Sequence, residues 1–414
     1  MNSTARNGSI IEIRGDETAN VIFNLVREKL ITPYFDVPLQ SFNLSLSNRE
    51  ATSDQVTREA AEALKDANVA VKCSTITPNK TSAEALGLSQ VWKSPNATLR
   101  KALDGVIFRE PVVLETVPRL VPGWKQPIVV ARHANADQYQ AADFVVPGAG
   151  ELVLSFIPED GSEPVNRSVT TFGSDGGVAL GMYNNTDSIR TFARACFTRA
   201  LDLNMPLYFS TKNTVLKEYD GQFVQIFAQL YADEFRERFA ARSLHYEHRL
   251  IDDMVAFGLK SSGGFVWALK NYDGDVQADV VAQGFGSPGL MTSVLASSDG
   301  RSCLFEAAHG TVARHYPAWQ SGARISTNPI ATIIAWSRAL QHRAQLDQNT
   351  VLLHQADALE QAVVSTVQDG VLTDDLATLC GVESGVATGE FINAVADRFN
   401  EFRQVAGRPR QHLK

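Results

Sequence analysis

"PIVVARH", residues 127–133, decides how this chain folds. Four apolar residues in succession, two of them valines and one an isoleucine, stand behind a proline and stop at an arginine. A run so short, β-branched and bounded reads as a buried strand rather than a helix. The same reading fits "SIIEI" (9–13), "VAVKC" (69–73) and "GVIFR" (105–109). Between the second and first of these, "SDQVTREAAEALKDAN" (53–68) predicts a helix with Ser53 as its N-cap. Short strands alternating with helical periodicity predict an α/β fold.

Further along, the periodicity is cleaner. From residue 187, Ile189, Phe192, Ala193, Cys196, Phe197, Ala200 and Leu201 keep one helical face apolar. A second helix from about Gln222 carries Phe223, Ile226, Phe227, Leu230 and Tyr231 on one face. Between 137 and 185 the helical period vanishes, and "ELVLSFIPEDGSEPVNRSVTTF" (151–172) reads as two strands around a turn. A lone hairpin is marginal in water, so this segment predicts a small β insertion at a subunit interface.

The 414 residues suggest two or three domains at roughly 150 residues each. With 44% hydrophobic and 20% charged residues the composition is that of an ordinary globular protein. A net charge of −8 argues against nucleic acid as a partner, because phosphate binding needs surplus Lys and Arg. No apolar run approaches the ~20 residues of a membrane helix, and "MNSTARNGSIIEIRGDE" has no signal-peptide core. The expectation is a cytoplasmic protein, a mature mitochondrial form being the alternative, since a transit peptide removed earlier would leave no trace. Cys73, Cys196, Cys303 and Cys380 form no CxxC pair and read as reduced thiols.

"NYDGDVQAD" (271–279) carries the first chemical signal. Asp275 and Asp279 stand four apart, on one face of a helix, with Cβ atoms about 5–6 Å from each other. Two like charges at that distance call for a cation, and hard carboxylate oxygens suit Mg²⁺ or Mn²⁺. "LIDDM" offers Asp252 as a third ligand from another helix. Arg109 and Arg132 end apolar strands, and Arg100 closes "SPNATLR", which adds Ser94 and Asn96. Ligand sites of open α/β sheets form at strand carboxyl ends, and Arg binds carboxylates bidentately. The three together predict a small polyanion with two or more carboxylates. "GFGSPG" (284–289) matches a dinucleotide-binding fingerprint, but the strand before it is short and Pro288 sits inside it. A better nucleotide site is "EAAHGTVARHY" (306–316), where Gly310 and Thr311 allow close approach and Arg314 and His315 suit a 2′-phosphate.

These residues resemble the dimeric NADP-dependent isocitrate dehydrogenases of eukaryotic type, within the isocitrate/isopropylmalate dehydrogenase superfamily. The likeness runs through "GDE" (15–17), "VKCSTITP" (71–78), "WKSPNATLR" (92–100), "FREP" (108–111), "STKNT" (210–214), "YEHRLIDDMVA" (246–256), "KNYDGDVQAD" (270–279), "EAAHGTVARHY" and "STNPIA" (326–331). It implies a large α/β domain from residues 1–103 and 286–414, a small α/β domain from 104–136 and 186–285, and a clasp at 137–185. It implies Asp275 and Asp279 as metal ligands from one subunit and Asp252 from the other, one Mg²⁺ or Mn²⁺ per site, with Asp273 structural. Isocitrate would meet Thr77, Ser94, Asn96, Arg100, Arg109 and Arg132. Tyr139 and the other subunit's Lys212 would be the acid–base pair. NADP would meet Thr75, Thr77, Gly310, Thr311, Val312, Arg314, His315 and Asn328, with Lys260 from the second chain of a homodimer.

The reaction so implied is oxidative decarboxylation of isocitrate to 2-oxoglutarate: hydride leaves C2, the metal polarises the new carbonyl, and an enolate is protonated. A related dehydrogenase of another 2-hydroxy diacid is one alternative, against which the complete "SPNATLR" argues. A non-catalytic metal- and polyanion-binding protein is the other, against which Tyr139 and Lys212 argue. Three positions depart from the pattern: Ser82 for an Arg, Phe257 for a Gln and Asn20 for an Arg. Ser82 and Phe257 predict weaker NADP binding by about 1–3 kcal/mol, with Lys80 as a possible compensator.

Overall fold

The computed structural model describes residues 8–308 and 319–406. Its strands are, in chain order, β1 (Ile10–Arg14), β2 (Leu39–Asn43), β3 (Val69–Lys72), β4 (Val106–Pro111) and β5 (Ile128–His133). Then come β6 (Ala142–Val146), β7 (Gly150–Phe156), β8 (Val165–Phe172) and β9 (Gly177–Gly181). The last are β10 (Leu207–Thr211), β11 (Tyr246–Leu250), β12 (Phe265–Leu269), β13 (Met291–Ala296) and β14 (Cys303–Ala307).

Ten of them make one sheet in the order β11-β10-β12-β5-β4-β13-β14-β3-β1-β2. Its two outer blocks of four are each parallel inside. They run in opposite directions, because β4 and β13 between them pair antiparallel on both sides. The α/β expectation is met, with an antiparallel seam at the sheet's centre.

Side chains alternate across a strand, so the two faces of this sheet bury different sets. Val106, Phe108, Val129, Ala131, Val266 and Ala268 point to one face, into a large core that the helix Thr186–Leu203 helps to cover. Phe192 and Phe197 of that helix are fully buried, each contributing about 1.5–3 kcal/mol. The opposite face carries two smaller cores. Ile107 and Leu295 belong to one, with Ile11 and Ile13. Ile128, Val130, Trp267 and Leu269 belong to the other. The site described next lies on this second face, where the two smaller cores leave the sheet's centre to polar groups.

Two local expectations shift. Asp54, at φ 57, holds the N-cap position of the helix Gln55–Ala67 without a side-chain capping bond, and Ser53 lies before it, itself at φ 48. The helix expected from Gln222 begins at Tyr219 and runs to Leu230. The β insertion holds two ribbons: β7 with β8, as the turn composition indicated, and β6 with β9, which it did not. Their side chains stand in solvent, with Val145 77% and Val178 78% exposed.

Candidate active site

Arg109 and Arg132 were expected to meet as two strand ends. The structure brings them together differently. β4 and β5 are antiparallel, and Ile107 lies opposite Arg132. Arg109, two residues beyond Ile107, therefore shares Arg132's face, and the guanidinium groups converge across the seam.

The helix Asn271–Gly284 follows β12 over this face and carries Asp275 and Asp279. It lies close because residue 274 is glycine: a Cβ there would fall 2.8 Å from the Cβ of Arg132. Arg109 forks across both carboxylates, Nη1 at 3.0 Å from Asp279 and Nη2 at 3.5 Å from Asp275. Arg132 pairs tightly with Asp275, and Tyr139 donates a short hydrogen bond to the same carboxylate. The Arg132 guanidinium also lies over the Tyr139 ring, 4.7 Å from its centroid. One guanidinium spanning both carboxylates shows that a single cation can be shared between them. Hard oxygen donors at that spacing fit Mg²⁺ or Mn²⁺. Among the described residues, however, no three His, Cys, Asp or Glu side chains come together to hold a metal.

Charge is concentrated here at a cost. Burial first, and then the Arg100 charge, push Arg132 down to about 10. Burial likewise lowers Arg100, which adds its guanidinium from the helix Pro95–Leu103 and feels Arg109 beside it. Nε of Arg109 and Nη2 of Arg132 are buried with no hydrogen-bond partner among the described residues. Buried donors left unpaired are expensive, and a polycarboxylate ligand would satisfy them. Ser94 is the N-cap of the Arg100 helix and makes no side-chain capping bond, while Asn96 lies in its first turn. Both can meet an anion at the helix N-terminus.

Two residues that sequence reading passed over organise this cluster. Asn271, 1% exposed, accepts from Arg132 Nε at 2.9 Å and donates to the Ala136 carbonyl at 3.2 Å. Its backbone N–H donates to Asp137 at 3.1 Å. Ala136 and Asp137 hold positive φ values of 54 and 50, strain that such bonds must sustain. That turn delivers Tyr139, whose hydroxyl is pushed up to about 12 by burial and by its bond to Asp275. The only signal for Asn271 was its place directly before the acidic repeat.

Lys212 and Asp252 lie elsewhere. They pair with each other, and the Lys212 bond holds Asp252 below the usual carboxylate range. Asp220, fully buried, accepts from the Lys212 backbone N–H at 2.7 Å and from Lys270 Nζ at 2.7 Å. Asp273 is half-buried 3.8 Å from Lys270. Among the described residues no hydrogen bond or ion pair joins the Lys212–Asp252 pair to Asp275, Asp279 or Tyr139.

Thr75 and Thr77 follow β3, and Thr75 Oγ1 is another buried atom with no hydrogen-bond partner among the described residues. Asn328 is 2% exposed and bonded to Asp375 and to the Ile330 N–H. Lys260 is exposed at the end of the helix Ile251–Lys260. Gly310, Thr311, Val312, Arg314 and His315 lie outside the described residues. "GFGSPG" is no dinucleotide turn: Gly284 ends a helix and Pro288–Leu290 form a 3₁₀ turn before β13. The departures have local roles. Ser82 closes a capping box with Asn79, Asn20 brackets both backbone groups of Gly15, and Phe257 packs on Tyr208 and Phe265 under Arg249.

A ten-stranded sheet with an antiparallel seam, three arginines and an acidic helix over it define an α/β protein with a cationic cluster suited to an anionic ligand. The sequence model of the isocitrate/isopropylmalate dehydrogenase family matches residues 9–395, and the chain belongs to that family. It is 52% identical over 395 residues to the protein named isocitrate dehydrogenase (NADP) 1 of Mycobacterium tuberculosis, covering 95% of this chain and 97% of that one. It is 51% identical over 402 residues to the chloroplastic/mitochondrial NADP isocitrate dehydrogenase of Arabidopsis thaliana, covering 96% and 83%. No helix among the described residues is long and apolar enough to cross a membrane.

Proposed function

We infer that this chain is an isocitrate dehydrogenase that oxidises and decarboxylates isocitrate with NADP and a divalent metal. The observation that carries the reading is the convergence of Arg100, Arg109 and Arg132 with buried, unpaired donors beside the Asp275–Asp279 pair. Isocitrate's three carboxylates match three guanidinium groups, with Thr77, Ser94 and Asn96 completing the contacts. Each charged hydrogen bond so formed is worth about 1.5–3 kcal/mol.

Asp275 and Asp279 would hold one Mg²⁺ or Mn²⁺ together with Asp252 of a second chain, since within one chain Asp252 pairs with Lys212 instead. Bound there, the ion would supply Lewis-acid polarisation and NADP would supply the hydride acceptor. Lys212 of the second chain takes the substrate's hydroxyl proton. Tyr139, held protonated, returns a proton to the carbon from which CO₂ has left. Asn271 and Asp137 hold its turn. Thr75, Thr77, Asn328 and the segment with Gly310, Thr311, Val312, Arg314 and His315 would bind NADP, and Lys260 of the second chain would reach its 2′-phosphate. The assembly is a homodimer whose large domain (1–103 and 286–414) and small domain (104–136 and 186–285) flank the site. The clasp (137–185) pairs its exposed ribbons with those of its twin.

The test is NADPH formation from isocitrate with and without Mg²⁺ or Mn²⁺, with NAD in parallel. Metal-dependent turnover with NADP is expected. Turnover with NAD alone would overturn the cofactor, and silence with both would overturn the substrate.

A further inference from the structure

We propose that Arg49, remote from the reacting atoms, is a positioning residue that ties the loop carrying Thr75 and Thr77 to the helix N-terminus carrying Ser94 and Asn96. The inference rests on reading those four residues as ligand contacts.

Arg49 lies on the short helix Leu46–Ala51 and is completely buried. A buried guanidinium must spend its donors well, because its desolvation is repaid only by good hydrogen bonds. Arg49 spends them in three directions. Nε donates to Asp54 at 2.8 Å, which balances the charge. Nη1 donates to the carbonyl of Ile76 at 3.3 Å, and Nη2 to the carbonyl of Lys93 at 2.5 Å. Ile76 is the residue between Thr75 and Thr77, and Lys93 directly precedes Ser94.

The Ile76 unit is gripped from its other side too. Its N–H donates to Asp16 at 2.5 Å, and the second oxygen of Asp16 accepts from the Leu46 N–H at 2.8 Å, at the start of Arg49's own helix. The backbone N–H and C=O of one loop residue are therefore both held by buried charged side chains anchored to a single helix. Loops of this kind are otherwise mobile. With both carbonyls on one planar fork, neither segment can move independently of the other. Ordering of one by its ligand pre-orders the other, which makes NADP and isocitrate bind with positive coupling.

Arg49→Lys tests this, because lysine keeps the charge opposite Asp54 but lacks a fork that spans two carbonyls. Wild-type turnover is measured first: its absence would sink the proposed function, whereas its presence isolates Arg49. The variant is expected to raise KM for both isocitrate and NADP by about tenfold or more, with kcat within about threefold. A merely structural role would lower the active fraction and leave both KM values in place. A folded variant in which either KM stays within about twofold of wild type overturns the proposal. Should the variant not fold, hydrogen exchange on the wild-type protein decides: NADP alone should slow exchange at Ser94, Asn96 and Ala97. Protection confined to residues 74–77 would overturn it.

Discussion

Asp275 carries more of the site than any other residue, accepting at once from Arg109, Arg132 and Tyr139. Asp275→Asn keeps its shape and removes the charge that a divalent ion needs. It should cut kcat/KM about a hundredfold or more and raise the Mg²⁺ requirement, read by metal titration of the initial rate. An unchanged metal dependence would contradict the assignment. Ser82 makes a second prediction at this scale. Ser82→Arg adds a cation for the nucleotide phosphate and breaks the Asn79–Ser82 capping box. The NADP KM should fall while the melting temperature drops only slightly, because Asn79 keeps its capping bond to the residue-82 backbone N–H and only the reciprocal bond from Ser82 is lost. A KM that does not move would show that Ser82 does not face the cofactor. The arginines and the acidic pair were legible as residue types, because their chemistry is printed in the side chain. The capping role of Ser82 and the bridging by Asn271 were not, since short polar side chains look alike until the backbone gives them partners.

The element that concentrates strain is the turn between β5 and Tyr139, and it begins at a buried base. His133, stacked on Phe192 and bonded to Ser188 at 2.9 Å, is pushed down to about 4 by burial. Its ordinary value is 6.5, so the unfolded chain takes up the proton first as pH falls. The neutral ring contributes in full above pH 6.5. That contribution, about 3 kcal/mol by linkage, is lost between 6.5 and 4. Thermal melts of wild type should fall steeply across this window, and His133→Gln should flatten the slope. Equal slopes would exclude His133 as the source. Elements with strong local signals were legible: the helix Thr186–Leu203 buries all seven apolar residues that its period marked out. The reversal of strand direction at β4 and β13 was not, because which strands pair is a long-range choice that no local period encodes. The same blindness hid the ribbon of β6 and β9, whose partners lie more than thirty residues apart.

At the scale of the whole molecule, Arg109, Arg132 and Tyr139 gather on Asp275 while Lys212 pairs with Asp252, and the proposed function needs two chains to bring these groups into one site. The exposed apolar residues of the two-stranded ribbons, Val145 and Val178 among them, are the surface on which the proposed homodimer would form. Val145→Asp with Val178→Asp should shift the sedimenting species to a monomer and abolish turnover together. A monomer that stays active would refute the shared site. The most direct measurement mixes two inactive variants, Tyr139→Phe and Lys212→Ala, under conditions that exchange subunits, and follows isocitrate-dependent NADPH formation. Each hybrid dimer regains one intact site, so the mixture should recover about a quarter of wild-type activity. No recovery, in hybrids shown to form, would contradict a site built from two chains.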